Sequence, residues 1–172
     1  MRWPDLSEAL RGIPWAVCGA VATRRYMPER ATADLDIMIE ASDAAAAKER
    51  LAASGFAFEG TLAIGGSAWR APDGQQVDVI ERADPWVAGA LAEAFVNRDE
   101  QGLPVLPLAY LVLTKLEASR AQDVADLARM LGAAAESELV AVRRLVAELR
   151  PEDRDDLDSL VRLGRLELGT NE

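Results

Sequence analysis

The feature that most limits what this chain can fold into is a change of hydrophobic pattern near residue 100. Before it, short apolar runs alternate with turn residues and with helical stretches. After it, the sequence reads almost wholly as helix. That order implies an α+β fold: a small mixed β-sheet flanked by helices over residues 1–104, with a helical C-terminal part over residues 105–172 packed against it. At 172 residues the chain can bury a real core.

The cleanest local pattern is Asp34-Leu35-Asp36-Ile37-Met38-Ile39-Glu40. Leu35, Ile37 and Ile39 alternate with polar neighbours and Met38, so the spacing predicts a half-buried strand. Trp15–Cys18, Phe56–Phe58, Gly66–Arg70 and Gln76–Glu81 read as further strands, with Pro72-Asp73-Gly74 turning between the last two. Helices are predicted for Ser7–Arg11, Ala20–Tyr26 and Trp86–Phe95, and for Asp43–Ser54 with Ser42 as cap and Gly55 as stop. In the second part, helices are predicted for Leu106–Ser119, for Gln122–Leu131 closed by Gly132, for Ser137–Leu149, and from Pro151 onward.

Composition then removes whole classes of chemistry. The chain has no His, so a Ser-His-Asp triad, a His-ligated zinc and a His general base are excluded. A single cysteine, Cys18, excludes a disulfide framework. Lys and Arg total 19 against 29 Asp and Glu, a net charge of −10, which argues against a protein that coats nucleic acid by bulk charge. The N-terminus lacks the apolar stretch of a signal peptide and no run is long enough to span a bilayer, so a soluble, cytoplasmic protein is expected. Chemistry must rest on carboxylates, Arg, Lys, hydroxyls or a hard metal held by oxygen.

Asp34 and Asp36 leave the same strand face, roughly 6–7 Å apart at their Cα atoms. At an effective dielectric near 20 such carboxylates repel by about 2–3 kcal/mol, a repulsion that Mg2+ would convert into coordination. An isolated Asp-x-Asp also suits the solvated face of an edge strand. Asp78, opposite Val77 and Val79, either points to solvent or completes a three-carboxylate cluster able to hold metal or to act as a general base. Arg24, Arg25 and Arg30 crowd the segment before the Asp-x-Asp strand, as a triphosphate site requires and as surface neutralisation also would. Gly19 and Ala20 follow the first strand, where small residues let a phosphate approach backbone amides. Lys115 interrupts an apolar helix. It either snorkels to the surface, pairs with Asp123, which shares a helix face with Asp126, or reaches a triphosphate or the carboxylate cluster.

In this order the pieces resemble the nucleotidyltransferase superfamily of DNA polymerase β-like fold, and within it the small bacterial branch related to AbiEii-type toxins of type IV toxin–antitoxin systems. Cys18-Gly19-Ala20 stands where that branch has Gly-Gly or Gly-Ser after a strand. Arg30-Ala31-Thr32-Ala33-Asp34-Leu35-Asp36 matches its Arg-x-Thr-x-Asp-hydrophobic-Asp motif, and Asp78 its third carboxylate. Lys115, Arg120, Asp123 and Asp126 match its Lys-x4-Arg-x-x-Asp-x-x-Asp segment. The resemblance spans residues 14–132 by spacing, and Ala20 departs from it by removing a Ser hydroxyl.

It implies a Mg2+-dependent enzyme that transfers a nucleoside monophosphate from a nucleoside triphosphate to a hydroxyl on a protein, a small molecule or an RNA end. Asp34, Asp36 and Asp78 would be catalytic and metal-binding. Gly19, Ala20, Arg24, Arg25, Arg30 and Lys115 would bind the nucleotide, and Thr32 would bond the turn into the strand. The net charge favours a protein or small-molecule acceptor over RNA. The alternative is a catalytically degenerate nucleotide-binding or protein-interaction module with a cognate protein partner, as in a toxin–antitoxin pair.

Overall fold

A computed structural model describes residues 2–28 and 30–169. The chain divides into two compact units, Met1–Ala22 with Arg30–Leu106, and Thr23–Glu29 with Pro107–Glu172.

The first unit is built on a five-stranded sheet: β1 (Ala16–Val17), β2 (Asp34–Glu40), β3 (Ala57–Thr61), β4 (Gly66–Arg70) and β5 (Gln76–Arg82), in spatial order β1-β2-β5-β4-β3. β2 and β5 run parallel and every other pair is antiparallel. The unit therefore has the mixed α+β character that the hydrophobic pattern predicts. The parallel pair is central and needs a crossover, supplied by α2 (Ala44–Ala53) and the β3–β4 hairpin. Leu35, Ile37 and Ile39 of β2 and Val77 and Val79 of β5 are fully or nearly fully buried and form the spine of the core. Met38 is buried as well, so β2 departs from strict alternation at that position. α3 (Val87–Ala94) packs on β2 and buries Val87, Ala90, Leu91 and Ala94.

Several local expectations are corrected. Ser7–Arg11 forms turns rather than a helix, closed by Leu10 N–H to Leu6 O at 2.8 Å, because so short a stretch ahead of Gly12 at φ +79° cannot sustain a helical nucleus. Its apolar residues still anchor the segment, since Trp3, Leu6, Leu10 and Ile13 are buried. α1 covers only Gly19–Thr23, three residues short of Tyr26, and single turns carry the chain toward Pro28. β3 is Ala57–Thr61 rather than Phe56–Phe58. Ser42 is not a cap: Ala41–Asp43 forms a 3-10 turn, and α2 starts at Ala44 after Asp43. Gly55, at φ +85°, does stop that helix.

The second unit contains α4 (Leu108–Ala118), α5 (Ala121–Ala133), α6 (Glu136–Leu149) and α7 (Arg154–Glu167). α4 starts two residues later than the expected Leu106 and ends at Ala118, one short of the expected Ser119, which follows the helix in the left-handed conformation at φ 48°. Gly132 does not close α5 but lies inside it. The reason is helix packing: a Cβ at Gly132 would come within 2.3 Å of the Gly164 carbonyl carbon, and one at Gly164 within 1.8 Å of the Ala128 carbonyl oxygen. The two glycines let α5 and α7 touch backbone to backbone. Gly164→Ala tests this by sign. Relief of helix entropy would stabilise the protein by about 1 kcal/mol, whereas overpacking costs about 1–3 kcal/mol. The crossing predicts net destabilisation, seen as a lower midpoint in urea. Among the described residues, no helix is long and apolar enough to cross a membrane.

Candidate active site

The register of the central strands builds the site. β2 and β5 pair so that Asp36 stands beside Asp78 and Asp34 beside Gln76. Alternation sends Leu35, Ile37, Val77 and Val79 into the core and all three aspartates to the other face. Their carboxylates converge, each with an oxygen within 4.8 Å of the others, and all three side chains are half-buried.

β1 adds the next element. It pairs antiparallel with β2, Val17 opposite Ile37, and the Cys18 N–H donates to the Asp36 carbonyl oxygen at 2.9 Å. Gly19 therefore lies against the Asp36 side chain, at φ +58°. A Cβ there would fall 1.9 Å from Asp36 Oδ2 and 2.6 Å from its Cγ. Glycine is required twice over, by the left-handed backbone and by the carboxylate lying on it.

Two neutral donors serve the carboxylates. The Thr32 hydroxyl donates to Asp34 Oδ1 at 2.7 Å, so Thr32 ties the segment before β2 to the first residue of that strand, through its carboxylate. Gln76 Nε2 donates to Asp78 Oδ1 at 3.2 Å. Sequence reasoning passed over Gln76, although its position two before Asp78 on the same strand face was the signal.

Three carboxylates at about 5 Å repel pairwise by about 3 kcal/mol at an effective dielectric near 20. An all-oxygen, half-buried donor set of this kind fits a hard divalent cation. Each aspartate can contribute one oxygen, leaving further positions for water and substrate phosphates.

The residues expected at the phosphates divide between the units. Gly19, Ala20 and Arg30 belong to the first and are half-buried. Arg24 and Arg25 belong to the second, where the Arg25 guanidinium lies 5.9 Å from the Tyr26 ring centroid. Lys115 also belongs to the second unit and is buried. Its Nζ donates to Asp123 Oδ1 at 2.9 Å and to Asp126 Oδ2 at 2.8 Å. The pairing with Asp123, one of the arrangements open from the sequence, is thus present and extends to Asp126.

No family model matches the chain, and no curated protein matches it. Among solved structures, the chain is similar to the solution structure of the antibiotic-resistance factor ANT(2'')-Ia, a study of its substrate-regulated conformation dynamics. That match has 13% identity, covers 94% of this chain and 89% of that one, and has a TM-score of 0.47. The chain is also similar to the crystal structure of ANT(2'')-Ia in complex with adenylyl-2''-tobramycin, at 17% identity over 90% of this chain and 91% of that one, with a TM-score of 0.48.

Proposed function

We propose that this chain is a divalent-cation-dependent nucleotidyltransferase that moves a nucleoside monophosphate from a nucleoside triphosphate to a hydroxyl acceptor. The observation that carries the reading is the convergence of Asp34, Asp36 and Asp78 from two parallel, in-register strands. The Arg30–Asp36 motif supports it, as does Gly19, whose missing side chain makes room for the Asp36 carboxylate. Kinship with the AbiEii-type branch rests on that motif together with the Lys115–Asp126 segment.

Asp34 and Asp36, with Asp78 beside them, are the residues that would hold the cation, and Mg2+ is the ion we assign. When bound, such a cation supplies charge neutralisation and electrophilic activation of the triphosphate. Asp78, which accepts a hydrogen bond from Gln76, is the residue we assign either to a second cation or to the proton of the acceptor hydroxyl. The deprotonated oxygen bonds to the α-phosphorus, the bond from that phosphorus to the bridging oxygen breaks, and pyrophosphate leaves. Gly19, Ala20 and Arg30 are the first-unit residues we assign to the phosphates. The same assignment for Arg24, Arg25 and Lys115 rests on the resemblance alone. A net charge of −10 leaves little basic surface for RNA, so we assign a protein or small-molecule acceptor.

Thermal denaturation with each of the four nucleoside triphosphates, with and without Mg2+, tests the reading. At a ligand concentration of 100 times Kd, binding adds about 2.7 kcal/mol, which raises Tm by roughly 5–10 °C in a protein of this size. The rise is expected only with Mg2+, and Asp36→Asn is expected to remove it. A rise that persists in Asp36→Asn, or none with any triphosphate in the wild type, would overturn the proposal.

A further inference from the structure

Thr32 lies just ahead of β2, and Gln76 is the first residue of β5, the two strands that carry the site. Each stands two residues before a cluster aspartate, and each donates one hydrogen bond to Oδ1 of that aspartate, at 2.7 Å for Thr32–Asp34 and 3.2 Å for Gln76–Asp78. Because Asp34 pairs with Gln76 and Asp36 with Asp78, the site face carries a block of four side chains, three carboxylates and one carboxamide.

The residue types at these two positions are informative. Glutamate in place of Gln76 would add a fourth negative charge and no donor. Lysine or arginine would donate, but would set a positive charge against any cation the cluster holds. A threonine hydroxyl and a glutamine amide both donate while carrying no charge. They fix a carboxylate without neutralising it.

We infer that Thr32 and Gln76 are positioning residues that set cation selectivity: each occupies one oxygen of its aspartate and confines that aspartate to single-oxygen coordination. The inference rests on the metal site of the nucleotidyltransferase reading. Single-oxygen ligands suit a small, strictly octahedral cation such as Mg2+, whereas Ca2+ tolerates seven or eight ligands and readily takes carboxylates through both oxygens. Freed of their donors, Asp34 and Asp78 gain the second oxygen. The site then weakens for small cations and becomes more permissive to Ca2+.

The test is Mn2+ binding followed by electron paramagnetic resonance, with Mg2+ and Ca2+ as competitors, in the wild type and in Thr32→Val, Thr32→Ser, Gln76→Leu and Asp36→Asn. Thr32→Val and Gln76→Leu are expected to weaken Mn2+ binding about 10-fold, the usual loss for a group that orients a metal ligand, and to lower the preference for Mg2+ over Ca2+. Thr32→Ser keeps the hydroxyl and is expected to restore both. A preference unchanged from wild type in both Thr32→Val and Gln76→Leu overturns the inference, whatever their affinities, and leaves the metal site standing if Asp36→Asn has lost Mn2+. A wild type that binds no Mn2+ overturns the metal site itself, and this inference with it.

Discussion

Gly19→Ala is expected to weaken divalent-cation binding at least about 100-fold while leaving a folded protein. The three atoms nearest the added Cβ all belong to Asp36: Oδ2 at 1.9 Å, Cγ at 2.6 Å and Cβ at 2.8 Å. A rotation of the carboxylate alone relieves the first contacts but not the last, so the whole Asp36 side chain must move away from Asp34 and Asp78. Misplacement of a reacting group by about 1 Å can cost about 100-fold in rate, and a displaced ligand forfeits its coordination bond outright. Alanine must also take the left-handed backbone at φ +58°, a strain of about 1–2 kcal/mol. With the overpacking added, the midpoint should fall by roughly 5–15 °C. A double-mutant cycle separates the two causes. In an Asp36→Gly background all three contacting atoms are gone, so Gly19→Ala should cost little more than the backbone strain. Wild-type Mn2+ affinity in Gly19→Ala would show that Asp36 is not a ligand. Equal stability losses in both backgrounds would show that the carboxylate does not press on the glycine.

The parts of this site that were legible in the sequence are those governed by nearest neighbours along the chain. β2 shows its full extent, Asp34–Glu40, because alternation of polar and apolar residues has a period that only an extended strand satisfies. β4 is legible for its exact range, since Gly66 opens it and the Pro72-Asp73-Gly74 turn follows close behind its end. What alternation cannot show is the partner of a strand. The spacing allowed Asp78 to stand beside Asp36, but only the parallel β2–β5 register makes them neighbours. Gly19 read as a position where phosphate could approach, and its steric relation to Asp36 depends on β1 pairing with β2, a long-range fact. Gly132 misled for the same reason. A glycine near the end of a helical pattern looks like a stop, and here it answers to Gly164, thirty-two residues away in the chain. Short segments fared worst: Ser7–Arg11 and the end of α1 carry too few residues for propensity to decide between a helix and a turn.

Lys115→Met is expected to destabilise the protein by about 3–5 kcal/mol, because it leaves two buried carboxylates without their cation. Lys115, Asp123 and Asp126 are 4%, 6% and 0% exposed, and the ammonium bonds both carboxylates at 2.9 and 2.8 Å. Their remaining oxygens are engaged too, Asp123 Oδ2 by Arg120 at 3.0 Å and Asp126 Oδ1 by Gln122 at 3.1 Å. Arg120 is 76% exposed, and solvent screening weakens its hold on Asp123, so it cannot replace the buried charge. Methionine nearly preserves the volume of the lysine stem, which keeps a cavity term from entering the comparison. The midpoint should fall by roughly 10 °C or more. Adding Asp123→Asn and Asp126→Asn removes the stranded charges while keeping acceptors for Arg120 and Gln122, and should recover at least half of the loss. A triple variant no more stable than Lys115→Met would assign the loss to packing rather than to charge. The same triple variant separates structure from function at this residue. Held well below its midpoint, it should keep the Mg2+-dependent stabilisation by a nucleoside triphosphate if Lys115 serves only the buried triad. It should lose that stabilisation if the phosphates also draw on the lysine.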